Sequence, residues 1–300
     1  MKLSHVKGNT WVAEGLELIP VLRLDGQRCV LLDTGLREER DELEACLLEN
    51  GLIPVGIVGS HAHGDHCGNN RYFQEQYNIP VALTVPEAGM CSSLMNLKCY
   101  FLLLSPDMVQ REFDSMVHTP EVILPGEDAT VTFAGVPLQI IQTPGHSPGH
   151  ISVITPDNVC YVADALVSRD YLSSKLPYSL CHATAGRSRD KLRGVHCDAY
   201  IMAHRGVCSA AEFGALIDDN DAMIYQRAQE ILALIPRPMT GSQINQVVCE
   251  QFHLLTRRPG RSLRFERNIR LFAEYLLDLG QLEMVSLRGV AHYQPAGWQG

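Results

Sequence analysis

The sequence predicts an α/β domain followed by a smaller helical module. Three observations carry that prediction. Over roughly the first 210 residues, short β-prone runs alternate with helical stretches, the pattern of a layered α/β domain. From about residue 215 the alternation gives way to helical periodicity and a terminal hairpin. Four separate strand ends deliver a histidine or an aspartate, which sets the chemistry on loops held by a rigid sheet. The division is expected near residue 212, with a catalytic domain over 1–212 and a module over 213–300.

The elements follow in order. "CVLLDTG" (29–35) is a buried-strand run that ends at a turn, and "EERDELEACLLENG" (38–51) reads as an amphipathic helix. Leu43, Leu47 and Leu48 lie on one face of that helix, and Gly51 is its C-cap. "IPVGIVGS" (53–60) is the next strand, so the "SHAHGDHCGNN" that follows sits just past a strand end. "VPLQIIQTPGHSPGH" (136–150) repeats the layout of strand, then histidine loop. "ISVITPDNVCYVAD" (151–164) reads as a hairpin that turns at Pro156, Asp157 and Asn158 and ends on Asp164, and "AYIMAHRG" (199–206) is a strand ending on His204. Two stretches break the alternation. Residues 86–120 are helical and hold Met90, Met95, Met108 and Met116, either as a lid over a pocket or as a helical pair covering one face of the sheet. Residues 168–193 carry Tyr171, Lys175, Tyr178 and His182 directly after Asp164.

In the C-terminal part, "DDNDAMIYQRAQEILALI" offers Asp218 to Asp221 as an N-cap region before a helix. Ile244, Val247, Val248 and Phe252 mark a second helix, and Phe265, Ile269, Phe272, Leu276 and Leu279 mark a third ending at Gly280. "QLEMVSLRGVAHYQ" then alternates around a turn at Arg288 and Gly289. Three helices and a hairpin are similar to a winged-helix module. Arg257, Arg258, Arg261, Arg264, Arg267 and Arg270 crowd the approach to the third helix, with Arg264, Arg267 and Arg270 opposite its apolar stripe. The default reading is a solvated basic face. Against nucleic-acid contact stand the long connection over 253–263 and the acidic balance of the chain. A third arrangement packs the tail against the catalytic domain or a partner subunit, as in a homodimer, and shapes the pocket.

Composition limits the function classes. A net charge of −9 argues against bulk binding to nucleic acid or anionic membrane. No apolar run reaches the roughly 18 residues of a membrane span. The start "MKLSHVKGNTW" has no apolar signal core, and the ten cysteines lack a C-x-x-C pair, which fits reduced thiols in the cytoplasm.

The crowded loop carries the chemistry. In H-x-H-x-D-H, period-two geometry at a strand end points His61 and His63 the same way, while Asp65 and His66, already in the turn, face a second point. Imidazole and carboxylate at this density form a transition-metal set, and the spacing suits two ions side by side. The remaining strand ends offer His146 and His150, Asp164 and His204.

H-x-H-x-D-H, then "TPGHSPGH", then a strand-end Asp, then a strand-end His resembles the metallo-β-lactamase-fold hydrolases over roughly residues 1–210. The resemblance implies a four-layer αβ/βα sandwich with the site at the edge of two sheets. It assigns His61, His63 and His146 to a first metal, Asp65, His66 and His204 to a second, and Asp164 to the bridge between them. Asp33 would orient a ligand histidine, and His150 would be structural. Asp164 stands where antibiotic-hydrolysing members place a cysteine, so β-lactam hydrolysis is not the expected activity. Val167 stands where a lactonase-type tyrosine would be. "IMAHRG" replaces the commoner setting of the last histidine, and Cys67 is an incidental extra donor.

The expected cofactor is a pair of divalent ions, zinc first, with iron or manganese as alternatives. Two such ions lower the pKa of a bridging water and hold hydroxide at neutral pH, so no side-chain nucleophile is required. The expected function is therefore metal-dependent hydrolysis of a small-molecule ester, thioester, lactone or phosphodiester, with Asp65 and Asp164 as the catalytic carboxylates. Arg205, Tyr178 and His182 are candidate substrate contacts. The alternatives are a mono-iron persulfide dioxygenase, as in relatives that share the first-site histidines, and a nuclease that uses the basic C-terminal module.

Overall fold

The computed structural model describes residues 1–204 and 206–299. A seven-stranded sheet is built in sequence order from β1 (Lys2–Lys7), β2 (Thr10–Glu14), β3 (Leu18–Arg23), β4 (Arg28–Leu32), β5 (Ile53–Val58), β6 (Val81–Thr84) and β7 (Val122–Leu124). Its first four strands run antiparallel, and β4 to β7 are parallel. A second sheet of six strands has the order β13-β12-β11-β10-β9-β8, from β8 (Ala129–Phe133), β9 (Val136–Gln142), β10 (Ile151–Ile154), β11 (Val159–Ala163), β12 (Ala199–Met202) and β13 (Gly206–Ser209).

Strand periodicity explains the layers. In β4, Val30 and Leu32 point into a core shared with Leu138, Ile140, Val153 and Tyr161 of the second sheet. Cys29 and Leu31 point the other way, beneath helices α1 (Arg40–Glu49) and α3 (Asn70–Tyr77). In β11, Val159, Tyr161 and Ala163 face the shared core, while Cys160 and Val162 pack under α7 (His182–Leu192) and α8 (Ala210–Leu232). Both faces of these central strands are covered, so they read as unbroken apolar runs. The result is the expected four-layer sandwich: helices, sheet, sheet, helices. The short α2 (Gly64–Cys67) lies within the histidine loop. The 86–120 stretch forms α4 (Val85–Cys91), α5 (Leu94–Tyr100) and α6 (Pro106–Phe113) over the outer face of the first sheet, with Met90 and Met116 buried in its core and Met95 exposed.

The C-terminal region contains α8, α9 (Gly241–Gln251), α10 (Pro259–Asp278) and the hairpin β14 (Leu282–Leu287) and β15 (Val290–Pro295). The hairpin turns on Arg288 and Gly289, both at positive φ, as a tight two-residue turn requires. Ile244, Val248, Ile269, Phe272 and Leu276 close one core, as their spacing predicts.

Four expectations change here. The run Asp218 to Asp221 is not an N-cap region. The helix starts at Ala210, where Ser209 and Glu212 form a capping box, and the acidic residues lie mid-helix facing arginines. Asp218 meets Arg193 at 2.7 Å, Asp219 meets Arg169 at 2.9 Å and Asp221 meets Arg189 at 2.5 Å. Second, α8 spans the expected boundary at 212: Phe213, Leu216 and Ile217 join the core under the second sheet, whereas Ile224, Ala228 and Ile231 join the C-terminal core. Third, α10 begins at Pro259, so the connection from α9 is shorter than the 253–263 segment suggested. Fourth, Leu48 is half exposed, and Cys46 takes the third buried place beside Leu43 and Leu47.

Candidate metal centre

The predicted site residues arrive at one edge of the two sheets. Asp33 follows β4, His61 follows β5, and Asp164 and His204 follow β11 and β12. The loop between β9 and β10 brings His146. Backbone hydrogen bonds tie these loops together, Ile151 N–H to Ser60 O at 3.0 Å and Leu18 N–H to Ala203 O at 2.7 Å. Asp33 and Ala163 both adopt positive φ, 67° and 46°, and so turn the chain sharply as each strand ends. Gly145 is at φ 126°, and a Cβ there would lie 2.2 Å from the Ala185 nitrogen, so only glycine lets the His146 loop sit on α7.

Two donor sets form side by side. One joins His61, His63 and His146: His63 Nδ1 lies 2.9 Å from His61 Nε2 and 3.0 Å from His146 Nε2. The other joins Asp65, His66 and His204. Asp164 stands between them, its Oδ2 3.2 Å from His146 Nε2, 3.2 Å from His204 Nε2 and 3.5 Å from His66 Nε2.

Four of these histidines, His61, His63, His66 and His204, meet a partner on the nitrogen that faces away from the cluster. Asp33 Oδ2 accepts from His66 Nδ1 at 2.8 Å, and it also receives the Ser60 and Tyr161 hydroxyls at 2.6 and 2.7 Å. Ser60 Oγ meets His61 Nδ1 at 3.0 Å, Glu17 Oε2 meets His204 Nδ1 at 2.6 Å, and the Tyr100 hydroxyl meets His63 Nε2 at 2.6 Å. Partners of this kind orient the ring, and with a cation bound they would leave the inward nitrogen as its donor. His150 is different. Its Nδ1 faces Thr143 Oγ1 at 2.9 Å, and its Nε2 accepts the Asp164 backbone N–H at 3.2 Å, so it holds the loop that presents Asp164.

The electrostatics divide the same way. Burial keeps the first set neutral, with the pKa values of His63 and His146 pushed down to about 3. At the second set burial also opposes charging, but carboxylates outweigh it. Asp164 and Glu17 carry His204 up to about 11, and Asp164 and Asp33 raise His66 well above its usual value. One set is a neutral nitrogen cage, and the other is an anionic pocket that calls for positive charge. His66 Nε2 and Asp164 Oδ1 are buried without a hydrogen-bond partner among the described residues, a cost that a cation between them would remove. Nitrogen and carboxylate donors at this spacing fit two divalent ions.

Sequence reasoning missed several supporting groups. Glu87, wholly buried at the start of α4, accepts the N–H of Ala62 at 2.8 Å, the N–H of Gly149 at 2.7 Å and the Ser147 hydroxyl at 2.7 Å. It clamps both histidine loops, and burial raises its pKa. Glu17 and Tyr100 were likewise unmarked. A first-turn glutamate reads as an ordinary helix-start charge, and nothing local ties Tyr100 to a histidine 37 positions earlier.

Of the substrate candidates, Tyr178 is at the site, its ring centroid 5.2 Å from that of His146 and 5.6 Å from that of His63. His182 is not a substrate contact. It opens α7 and packs toward α10, its ring tilted 30° to that of Phe272 at 4.3 Å and 2% exposed, because the helix start turns it toward that apolar surface. Arg205 lies outside the described residues. Cys67 is buried in the outer core, and burial raises its thiol pKa well above the usual value, so it is neither donor nor redox target. The basic face of α10 is also partly committed: Arg270 meets Glu274 at 3.1 Å, and Arg267 lies 4.1 Å above the Tyr178 ring.

Residues 18–204 match the family model of the metallo-beta-lactamase superfamily. The chain belongs to that superfamily. Among curated relatives, the probable metallo-hydrolase YqgX of Bacillus subtilis (strain 168) is 27% identical over 149 residues, covering 50% of this chain and 63% of the relative. A hydroxyacylglutathione hydrolase of Rhizobium meliloti (strain 1021) is 26% identical over 202 residues, covering 65% of this chain and 64% of the relative. The matches thus span just under two thirds of these relatives. Among solved structures, a metallo-beta-lactamase family protein from Thermus thermophilus superposes with a TM-score of 0.70 at 21% identity, covering 93% of both chains. A beta-lactamase domain protein from Burkholderia ambifaria gives 0.71 at 17%, covering 98% of this chain and 93% of the other. Both extend the likeness of fold through the C-terminal region. The superfamily member described here has metallo-hydrolase relatives and His/Asp groups suited to a metal. Among its described residues no helix is long and apolar enough to cross a membrane.

Proposed function

We propose that this superfamily member is a dinuclear metallo-hydrolase, zinc-loaded, that cleaves a small ester or thioester. The observation that carries the reading is the pair of adjoining donor sets with Asp164 between them, four of whose histidines meet a partner on the outward nitrogen. His61, His63 and His146 would hold one ion, Asp65, His66 and His204 the other, and Asp164 would touch both. Bound there, the ions would supply a water of lowered pKa and polarise the scissile carbonyl. The chain's own contribution is orientation. Asp33 and Glu17 keep His66 and His204 in the tautomer that offers Nε2, and Tyr100 does the same for Nδ1 of His63. Glu87 fixes the spacing of the two loops. Asp65, about one third exposed, is the carboxylate of the set most open to water. The thioester preference is supported by the likeness to hydroxyacylglutathione hydrolases.

The test is metal content and turnover on protein purified without added metal or chelator. Near two ions per chain, about one in His204→Ala, and hydrolysis of a hydroxyacyl thioester would agree with the reading. A single iron with oxygen consumption on a persulfide, or no metal uptake at all, would overturn it.

A further inference from the structure

Beside the first donor set stands a wall whose parts come from three distant stretches of the chain. His63 Nε2 meets the Tyr100 hydroxyl at 2.6 Å, and Tyr100 meets the Tyr178 hydroxyl at 2.5 Å. The polarity of this relay follows from the histidine. With Nδ1 turned toward His61 and His146 as a lone pair, Nε2 carries the proton and donates to Tyr100. Tyr100 then donates to Tyr178, and the Tyr178 proton has no acceptor among the described residues. It is a directed donor at the edge of the site.

Arg267 completes the wall from α10. Its guanidinium lies 4.1 Å above the Tyr178 ring, a cation–π contact that holds it in place. No described carboxylate lies within ion-pair distance of it; its hydrogen-bond partner is the Asn268 side-chain oxygen at 3.2 Å. Asn268 in turn donates to Leu176 O at 3.1 Å, which pins the segment carrying Tyr178 to α10. A guanidinium without an ionic partner among the described residues, beside a tyrosine hydroxyl, offers the two kinds of donor that an oxyanion takes.

We propose that Tyr178 and Arg267 form a carboxylate subsite beside the first donor set, so that the substrate is an ester or thioester bearing a carboxylate a few bonds from the scissile carbonyl. One cation and one hydroxyl suit a monoanion. The proposal rests on the hydrolase reading for the scissile bond but not for the binding of the anion.

The experiment separates the two. Calorimetry on zinc-loaded protein compares an S-alkyl thioether that carries a free carboxylate with its neutral methyl ester, neither of them cleavable as a thioester. The expected result is at least tenfold tighter binding of the acid, about 1.4 kcal/mol, with most of that preference lost in Arg267→Gln and in Tyr178→Phe and part of it kept in Arg267→Lys. In turnover of the matching acyl thioesters, the ratio of kcat/KM for acid over ester falls about tenfold in Arg267→Gln, carried mainly by KM. Equal binding of the two probes, no binding of either, or a preference that survives in both variants overturns the subsite. A preference that depends on Arg267 in a protein that cleaves no ester or thioester keeps the subsite and removes the hydrolase reading.

Discussion

His182 allows a sharp test of how burial controls charge in this protein. Both ring nitrogens are buried without partners, the ring packs on Phe272, and desolvation, aided by the Arg189 charge, pushes its pKa down to about 3. The unfolded chain takes up a proton near pH 6.5. Because the folded value is depressed, the unfolded state binds more protons between those two values. The contribution to stability is therefore complete above about pH 6.5 and is lost as the pH falls toward about 3. Between pH 8 and pH 5.5 the loss is about 1.4 kcal/mol, one pH unit below the unfolded value at 1.36 kcal/mol per unit. His182→Phe keeps a flat ring against Phe272 and abolishes the titration. At pH 8 the variant should match or exceed the parent by about 1 kcal/mol, since two unpaired buried nitrogens are removed. At pH 5.5 its advantage should have grown by about 1.4 kcal/mol, roughly half a molar in urea midpoint for a slope near 3 kcal/mol/M. The other buried histidines titrate in both proteins and cancel in the difference. An advantage that is the same at both pH values would refute the argument, because His182 would then be either hydrated or partnered in solution.

Two further outcomes follow from the groups behind the ligands. Glu17→Ala removes the carboxylate that orients His204; metal titration should show the second ion weakened about 10–100-fold with the first unchanged. Glu87→Gln puts an amide NH2 where two N–H groups and a hydroxyl donate, so one or two of those donors lose their acceptor; a stability loss of about 2–4 kcal/mol, read as a lowered melting temperature, is expected.

The candidate donors were legible because they lie on loops that follow recognisable strands, and such loops need only local sequence to be seen. Asp33, His61, His63, His66, His146, Asp164 and His204 come together from those loops at one edge of the two sheets. The buried strands were legible for the same reason, since both their faces are covered. The helix starting at Ala210 was misread because four polar residues at 218–221 imitate a cap, and only their arginine partners, more than twenty positions earlier, show them to be an interface. Glu17, Glu87, Tyr100 and Arg267 were illegible because their roles exist only after distant elements meet. Arg267 reads as one more solvated charge until α10 is laid beside Tyr178.

The continuity of α8 has a mechanical meaning. A helix of 23 residues, about 34 Å long, roots its first turns in the sandwich and its later turns in the C-terminal core. It acts as a strut with no joint. The helix that carries Arg267, α10, packs on the later turns of α8 in the C-terminal core, so α8 ties the placement of Arg267 to that of the sandwich that carries the histidines.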